Sequence, residues 1–133
     1  MTDDKAFALL QALDQRTADG TIPWSEASEA DSFIASFPKY SVAVRKVEYE
    51  TDRGDERDRI EIDVINAVGR VLDTIDVESL GSYDMTQTGR RIYARARDFA
   101  LGVEEAVTEL LQELSPSPVG KAGDGLDEEE IPF

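Results

Sequence analysis

The first apolar positions of the chain recur at the spacing of an amphipathic helix. They are Phe7, Leu9, Leu10 and Leu13. Asp3 or Asp4 can cap this helix, and Asp19-Gly20 supplies its stop. Pro23 prevents the helix from resuming, because the residue before a proline is restricted to extended backbone. We therefore predict a short first helix, followed by Trp24 as a core residue.

From Asp31 the apolar period changes to two, which is typical of half-buried strands. The alternating positions are Phe33, Ala35, Phe37, Tyr40, Val42, Val44, Ile60, Ile62, Val64, Val71 and Ile75. Pro38-Lys39 interrupts the first run and residues 66–69 offer a turn in the second, so each run predicts a hairpin. Residues 51–58 contain no apolar side chain and predict an exposed loop. Three or four antiparallel strands result.

A second helical pattern occupies the later part of the chain. Residues 77–88 read as a loop in which Thr86 or Thr88 can cap the following helix. Apolar residues then recur at spacings of four and three through Ile92, Ala96, Phe99, Val103, Ala106, Leu110 and Leu114. The predicted fold class is α+β: an antiparallel three- to four-stranded meander, with an N-terminal and a long C-terminal helix laid across its apolar face.

The pattern ends at Ser115-Pro116-Ser117-Pro118, because proline lacks the amide donor that a helix needs. Glycines keep the following segment loose. We therefore predict a small α+β domain over residues 1–114 and a disordered tail over residues 115–133, made of a flexible linker and an acidic docking peptide.

Composition excludes several kinds of chemistry. The chain has no cysteine and no histidine, which removes thiolate ligands, a Cys nucleophile and the commonest general base. Ser25, Tyr40, Lys46 and Tyr49 form no recognisable nucleophile arrangement, and the glycines form no phosphate-binding loop. An enzyme that uses carboxylates is the weakest hypothesis, because no paired acid and base can be located. We expect a protein that is not an enzyme and has no cofactor.

The formal charge of −15 disfavours direct contact with nucleic acid and with acidic membrane surfaces. The tail carries Lys121 against five acidic residues, a net −4, which leaves −11 for the domain. No run approaches the ~20 apolar residues of a membrane span, and the N-terminal residues lack the basic region of a secretion signal. We expect a cytoplasmic protein whose partners have basic surfaces.

Two charged clusters have alternative interpretations. Asp52, Asp55 and Asp58 surround Gly54, but their spacing is not that of a calcium loop, so no metal site is predicted. The basic cluster, Arg90, Arg91, Arg95 and Arg97, can in principle track phosphates. In an acidic background it is more typical of an exposed helix face.

The last seven residues combine an acidic run with an apolar end. The predicted partner-binding residues are Asp127, Glu128, Glu129, Glu130, Ile131, Pro132 and Phe133. Phe133 can fill an apolar pocket while its carboxylate pairs with an arginine at the rim. Pro132 lowers the ordering cost of binding, and the acidic run steers the peptide toward a basic surface. The alternative is a solubilising acidic tail.

Residues 124–133, Asp-Gly-Leu-Asp-Glu-Glu-Glu-Ile-Pro-Phe, resemble the acidic tip of bacterial single-stranded-DNA-binding proteins. The resemblance implies docking on replication, repair or recombination enzymes, with Pro132 and Phe133 in a pocket and the acids on a basic ridge. It covers the tail only, since the remaining chain lacks the strands and stacking aromatics of an oligonucleotide-binding barrel. The domain is similar to small uncharacterised bacterial proteins in its first helix, Gly20-x-Ile22-x-Trp24 and Ala-Leu-Gly-Val at 100–103.

Two functional hypotheses follow. The leading one is a non-enzymatic adaptor or modulator whose Ile-Pro-Phe tip docks on genome-maintenance proteins that bind the single-stranded-DNA-binding protein tail. The alternative is an acidic DNA mimic that inhibits a nucleic-acid-binding protein through the charge of its folded domain.

Overall fold

The computed structural model describes residues 2–115. The chain divides into two units, one spanning Met1–Gly102 and one that begins at Val103. In its described part the first unit contains two helices, five strands and a 3₁₀ turn. These elements are α1 Asp3–Ala18, β1 Ser25–Glu26, β2 Ser32–Ser36, β3 Tyr40–Glu50, β4 Glu56–Asn66, β5 Val71–Asp76, the 3₁₀ turn Val77–Leu80 and α2 Tyr83–Leu101. The strands form one antiparallel meander in the order β1-β2-β3-β4-β5, which confirms the predicted α+β class.

The core of this unit lies on one face of the sheet. Val44 on β3 is paired with Ile62 on β4, which is paired with Ile75 on β5, so alternate residues of neighbouring strands line the same face. Leu10 of α1 and Ile92 of α2 are fully buried in the same cluster. The two helices therefore cover the apolar face, as the alternation predicts.

Trp24 is a core residue, which confirms the prediction. It is 3% exposed, and its indole Nε1 donates a hydrogen bond of 3.1 Å to Thr17 Oγ1. This bond satisfies the polar atom of a buried aromatic side chain. It also fixes the segment after α1 against the last turn of that helix.

The sheet differs from the prediction in two places. β1 has only two residues, paired as Ser25 with Ile34 and Glu26 with Phe33, and two residues are too few to show a period. The predicted loop over residues 51–58 is shorter, because β4 already begins at Glu56. The strand residues next to this turn are charged, because they extend beyond the core into solvent.

The predicted helix caps are wrong. Ser82 caps α2, and its hydroxyl accepts a hydrogen bond of 3.2 Å from the Met85 amide. Thr86 and Thr88 lie inside the helix, where the Thr88 hydroxyl donates to the Asp84 carbonyl. At α1 the cap is Thr2, which accepts from the Lys5 amide. Asp3 and Asp4 occupy the first turn, where their charge suits the helix dipole.

The single long C-terminal helix is also a wrong prediction. α2 ends at Leu101, and Gly102 adopts a left-handed φ of 65° while its amide donates to the carbonyls of Asp98 and Phe99. This is a common helix ending, in which glycine avoids the penalty that a Cβ would bring. The second unit contains α3, Val103–Leu114. The domain boundary at residue 114 stays a prediction.

Candidate interaction surfaces

The predicted docking peptide lies outside the described residues. This applies to all seven of its members, Asp127, Glu128, Glu129, Glu130, Ile131, Pro132 and Phe133. The docking role stays a prediction from sequence. The surfaces of the described residues decide which other interactions the protein can make.

The arginine cluster of α2 is engaged by acidic side chains. Arg90 donates to Asp58 Oδ1 at 2.7 Å and to Glu78 Oε2 at 2.6 Å. The hydrogen bond that Arg90 donates to Asp58 is the largest cause that raises the pKa of Arg90 above its ordinary value. Arg91 and Arg95 both face Asp14, at 3.1 and 3.6 Å.

Arg97 completes the set, with its guanidinium 3.6 Å from the Asp98 carboxylate. Every arginine of the cluster thus has a carboxylate within ion-pair distance. Three of them, Arg91, Arg95 and Arg97, are exposed, as expected for a solvated helix face. A phosphate backbone would have to compete with these carboxylates, which lowers the gain from neutralising phosphates.

The acidic residues around Gly54 do not converge. The turn is closed by Thr51, whose hydroxyl accepts from the Asp55 amide at 3.1 Å, and Gly54 has a φ of 84°. Asp58 lies on β4 and binds Arg90. No group of three or more His, Cys, Asp or Glu side chains within residues 2–115 is arranged to hold a metal ion.

An open cleft of about 390 Å³ lies beside this turn. Its lining is mixed in charge and includes Tyr49, Arg57 and Asp58, with further glutamates at positions 48, 50 and 56. A small-molecule site typically has a predominantly apolar lining with a few convergent polar groups. This cleft lacks that character and supports no ligand assignment.

The sheet face opposite the helices carries an ion-pair network that the sequence analysis missed. Arg45 Nη2 lies 2.6 Å from Glu61 Oε1, and Arg45 Nε lies 3.0 Å from Asp63 Oδ2. Arg59 Nε binds the second oxygen of Glu61 at 2.8 Å. The Thr74 hydroxyl donates to Asp63 Oδ1 at 2.6 Å. Glu61 and Asp63 are each only 8% exposed.

This network neutralises the buried carboxylates. The hydrogen bond to Asp63 is the first cause that raises the pKa of Arg45, and the hydrogen bond to Glu61 does the same for Arg59. The available signal was the alternation of Arg59, Glu61 and Asp63 with Ile60 and Ile62 on β4. Charged residues at alternate positions ordinarily indicate a solvated face, and sequence alone does not show that they bury one another.

Tyr93 is the one buried tyrosine among residues 2–115. It is 8% exposed and packs edge-on against Phe33, with ring centroids 5.6 Å apart. Lys46 Nζ lies 5.6 Å from the Tyr93 ring centroid. Burial raises the pKa of Tyr93, and the Asp31 carboxylate adds to the increase. A tyrosine held in its neutral form in this way is suited to packing rather than to nucleophilic chemistry.

No family model matches the chain, and neither the curated proteins nor the solved structures contain a significant match to it. The fold therefore brings no function by analogy, and function has to be argued from surfaces. No helix within residues 2–115 has the length and apolar character that crossing a bilayer requires.

Proposed function

We propose that this protein is a non-enzymatic adaptor or modulator that docks through residues 127–133 on genome-maintenance proteins, namely those that bind the acidic tip of single-stranded-DNA-binding proteins. One observation carries the proposal: the order of four acidic residues followed by Ile131-Pro132-Phe133. The partner would be a replication, repair or recombination enzyme with an apolar pocket and a basic rim, since that surface complements both halves of the peptide.

The described residues support a protein partner over a nucleic acid. All four arginines of the α2 cluster have acidic neighbours, and the formal charge of the chain is −15. A net potential of this sign repels phosphates and attracts basic protein surfaces.

The acidic charge is also what the alternative, a DNA mimic, requires. A mimic must present unpaired acidic groups to solvent, but the central carboxylates of the open sheet face, Glu61 and Asp63, are buried and bound by Arg45 and Arg59. This argues against the open sheet face as the mimicking surface. Binding by a chain that ends at residue 126, strongly weakened by salt, would instead favour the mimic.

The test is a titration of the full chain against a purified repair enzyme that binds the single-stranded-DNA-binding protein tip. Phe133→Ala should weaken binding by about thirtyfold, because an interface anchor of this type commonly costs ~2 kcal/mol when removed. Val119→Ala serves as the control, since it removes an apolar tail residue outside the docking peptide. A synthetic peptide of the tip should compete with the wild type.

Further variants separate the terms of the interaction. Residues added after Phe133 keep the ring and displace the terminal carboxylate, so they should also weaken binding. Replacing Glu128, Glu129 and Glu130 by glutamine should mainly slow association and flatten its salt dependence. Equal affinity for wild type and Phe133→Ala, or no binding by either, would refute tail docking.

A further inference from the structure

The helix α3 presents an apolar stripe to solvent. None of its residues is buried, and Val107, Leu110, Leu111 and Leu114 are 50%, 52%, 59% and 71% exposed. Large apolar residues scattered singly on a surface need no explanation, but four on one short helix form a contiguous patch, and such patches mark interaction sites.

Four apolar residues of α3 form a stripe with the geometry of a docking helix. Val103, Val107, Leu110 and Leu114 follow one another at spacings of four, three and four residues, so they lie along one face. Leu111 flanks this row. Twelve residues of helix span ~18 Å, which is enough for three to four anchors of the kind that helix-in-groove complexes use.

The charges of α3 select the kind of partner. Glu104, Glu105, Glu109 and Glu113 are its charged residues, and no lysine or arginine occurs from Val103 to Ser115. Two copies of α3 packed together would bring eight glutamates into proximity without a compensating cation, which opposes self-association. A groove rimmed by lysine or arginine would complement both the stripe and the glutamates.

We propose that α3 is a second docking element, which inserts Val103, Val107, Leu110 and Leu114 into an apolar groove, rimmed by lysine or arginine, on another protein. This inference does not depend on the proposed tail docking, because its anchors end at Leu114, before the acidic peptide begins at Asp127. It requires only the described residues of the second unit.

Partner binding would also stabilise the helix itself. Isolated helices shorter than about 12–15 residues are marginal in water, and α3 has twelve residues, none of them buried. Glu104 and Glu105 suit the dipole at its first turn, whereas Glu113 opposes it near the last. Burying the stripe would supply the packing that short helices need.

The experiment uses a fluorescent synthetic peptide of about four heptads with leucine at the seam positions and lysine at the flanking positions. Its twin carries glutamate in place of lysine. Anisotropy is measured with the full chain, with Leu110→Ala/Leu114→Ala, and with Thr108→Ala/Gln112→Ala. Alanine is the best helix former, so both double variants preserve the helix. The second pair lies off the stripe and is the matched control.

The wild type and the control should bind the lysine peptide, and the stripe variant should bind it at least about tenfold more weakly although every charge is intact. The glutamate peptide should not bind. Equal binding by the stripe variant would mean that net charge alone attracts the peptide, which would overturn the proposal. No binding by any of the proteins would overturn it as well. A wild-type dimer in sedimentation that dissociates in the stripe variant would show that a second copy covers the stripe. Failure of tail docking would leave each of these outcomes unchanged.

Discussion

Gly89 on α2 faces Val77 so closely that a Cβ at position 89 would lie 2.7 Å from Val77 Cγ1. Val77 is fully buried, and its branched side chain has little rotamer freedom to move away. Glycine is therefore required here for close packing of the helix on the 3₁₀ turn.

Replacing Gly89 with alanine should destabilise the protein by about 1 kcal/mol. Alanine gains up to ~1 kcal/mol of helix propensity over glycine, but overpacking a core typically costs 1–3 kcal/mol, so the clash should prevail. Urea unfolding measures the change. The double variant Gly89→Ala/Val77→Ala should lose less than the sum of its single variants by at least ~0.5 kcal/mol. A Gly89→Ala protein as stable as wild type would contradict the close packing.

Removing Arg45 should lower the unfolding free energy, because the buried carboxylates lose a partner. Arg45→Met keeps much of the apolar side chain but leaves Glu61 with Arg59 and Asp63 with Thr74 as their remaining partners. We expect a loss of roughly 2 kcal/mol, below the 3–5 kcal/mol of a fully buried pair, because the Arg45 side chain is 27% exposed.

Arg97→Met is the control for this network. Arg97 and Asp98 lie 3.6 Å apart with side chains 50% and 59% exposed, and such surface pairs contribute about 0–1 kcal/mol. The two unfolding free energies should therefore differ clearly. Equal losses would mean that the network on the open sheet face contributes no more than a surface pair.

Tyr93 should make the protein sensitive to alkali. Its pKa is raised in the folded state, chiefly by burial, so the unfolded chain ionises first, near the ordinary value of about 10. Stability is unaffected by this group at lower pH and falls as the pH rises through that value toward the folded pKa. In denaturant titrations at increasing pH, the wild type should lose stability above pH ~10 more steeply than Tyr93→Phe.

Tyr83→Phe supplies the comparison, because Tyr83 is 78% exposed. The unfolding free energy of Tyr83→Phe should fall with pH in the same way as that of the wild type. If Tyr93→Phe also follows the wild type, the phenol of Tyr93 does not couple to folding.

Periodicity predicted the elements that bury a long regular face. The strands of both hairpins, α1 and the core position of Trp24 follow directly from spacing and from one large aromatic residue. Spacing failed where a local hydrogen bond decided the outcome. Ser82, not a threonine, caps α2. The apolar row that runs through Phe99 and Val103 continues across Gly102, although the helix α2 ends there.

The interaction surfaces were less predictable than the fold. The residues of the ion-pair network are visible in the sequence as ordinary charges, but the pairing of Arg45 with Glu61 depends on strand register. The exposed stripe of α3 was hidden for another reason. Leu110 and Leu114 continue the apolar pattern of α2, so the sequence assigned them to the same buried face, whereas 52% and 71% of their surface is exposed.

The last prediction concerns the domain boundary, which the sequence places at residue 114. Because none of the residues of α3 is buried, a chain ending at Gly102 should keep the unfolding free energy of the full chain within ~0.5 kcal/mol, as is usual for changes away from buried features. The measurement is a urea titration followed by tryptophan fluorescence, since Trp24 is buried in the first unit.

Ile92→Ala in the full chain is the positive control. It deletes most of a core side chain, so it should lower the unfolding free energy by about 2–5 kcal/mol. A chain ending at residue 114 that is more stable than the chain ending at Gly102 by over ~1 kcal/mol would support the boundary at 114, because α3 would then contribute to the stability of the folded domain.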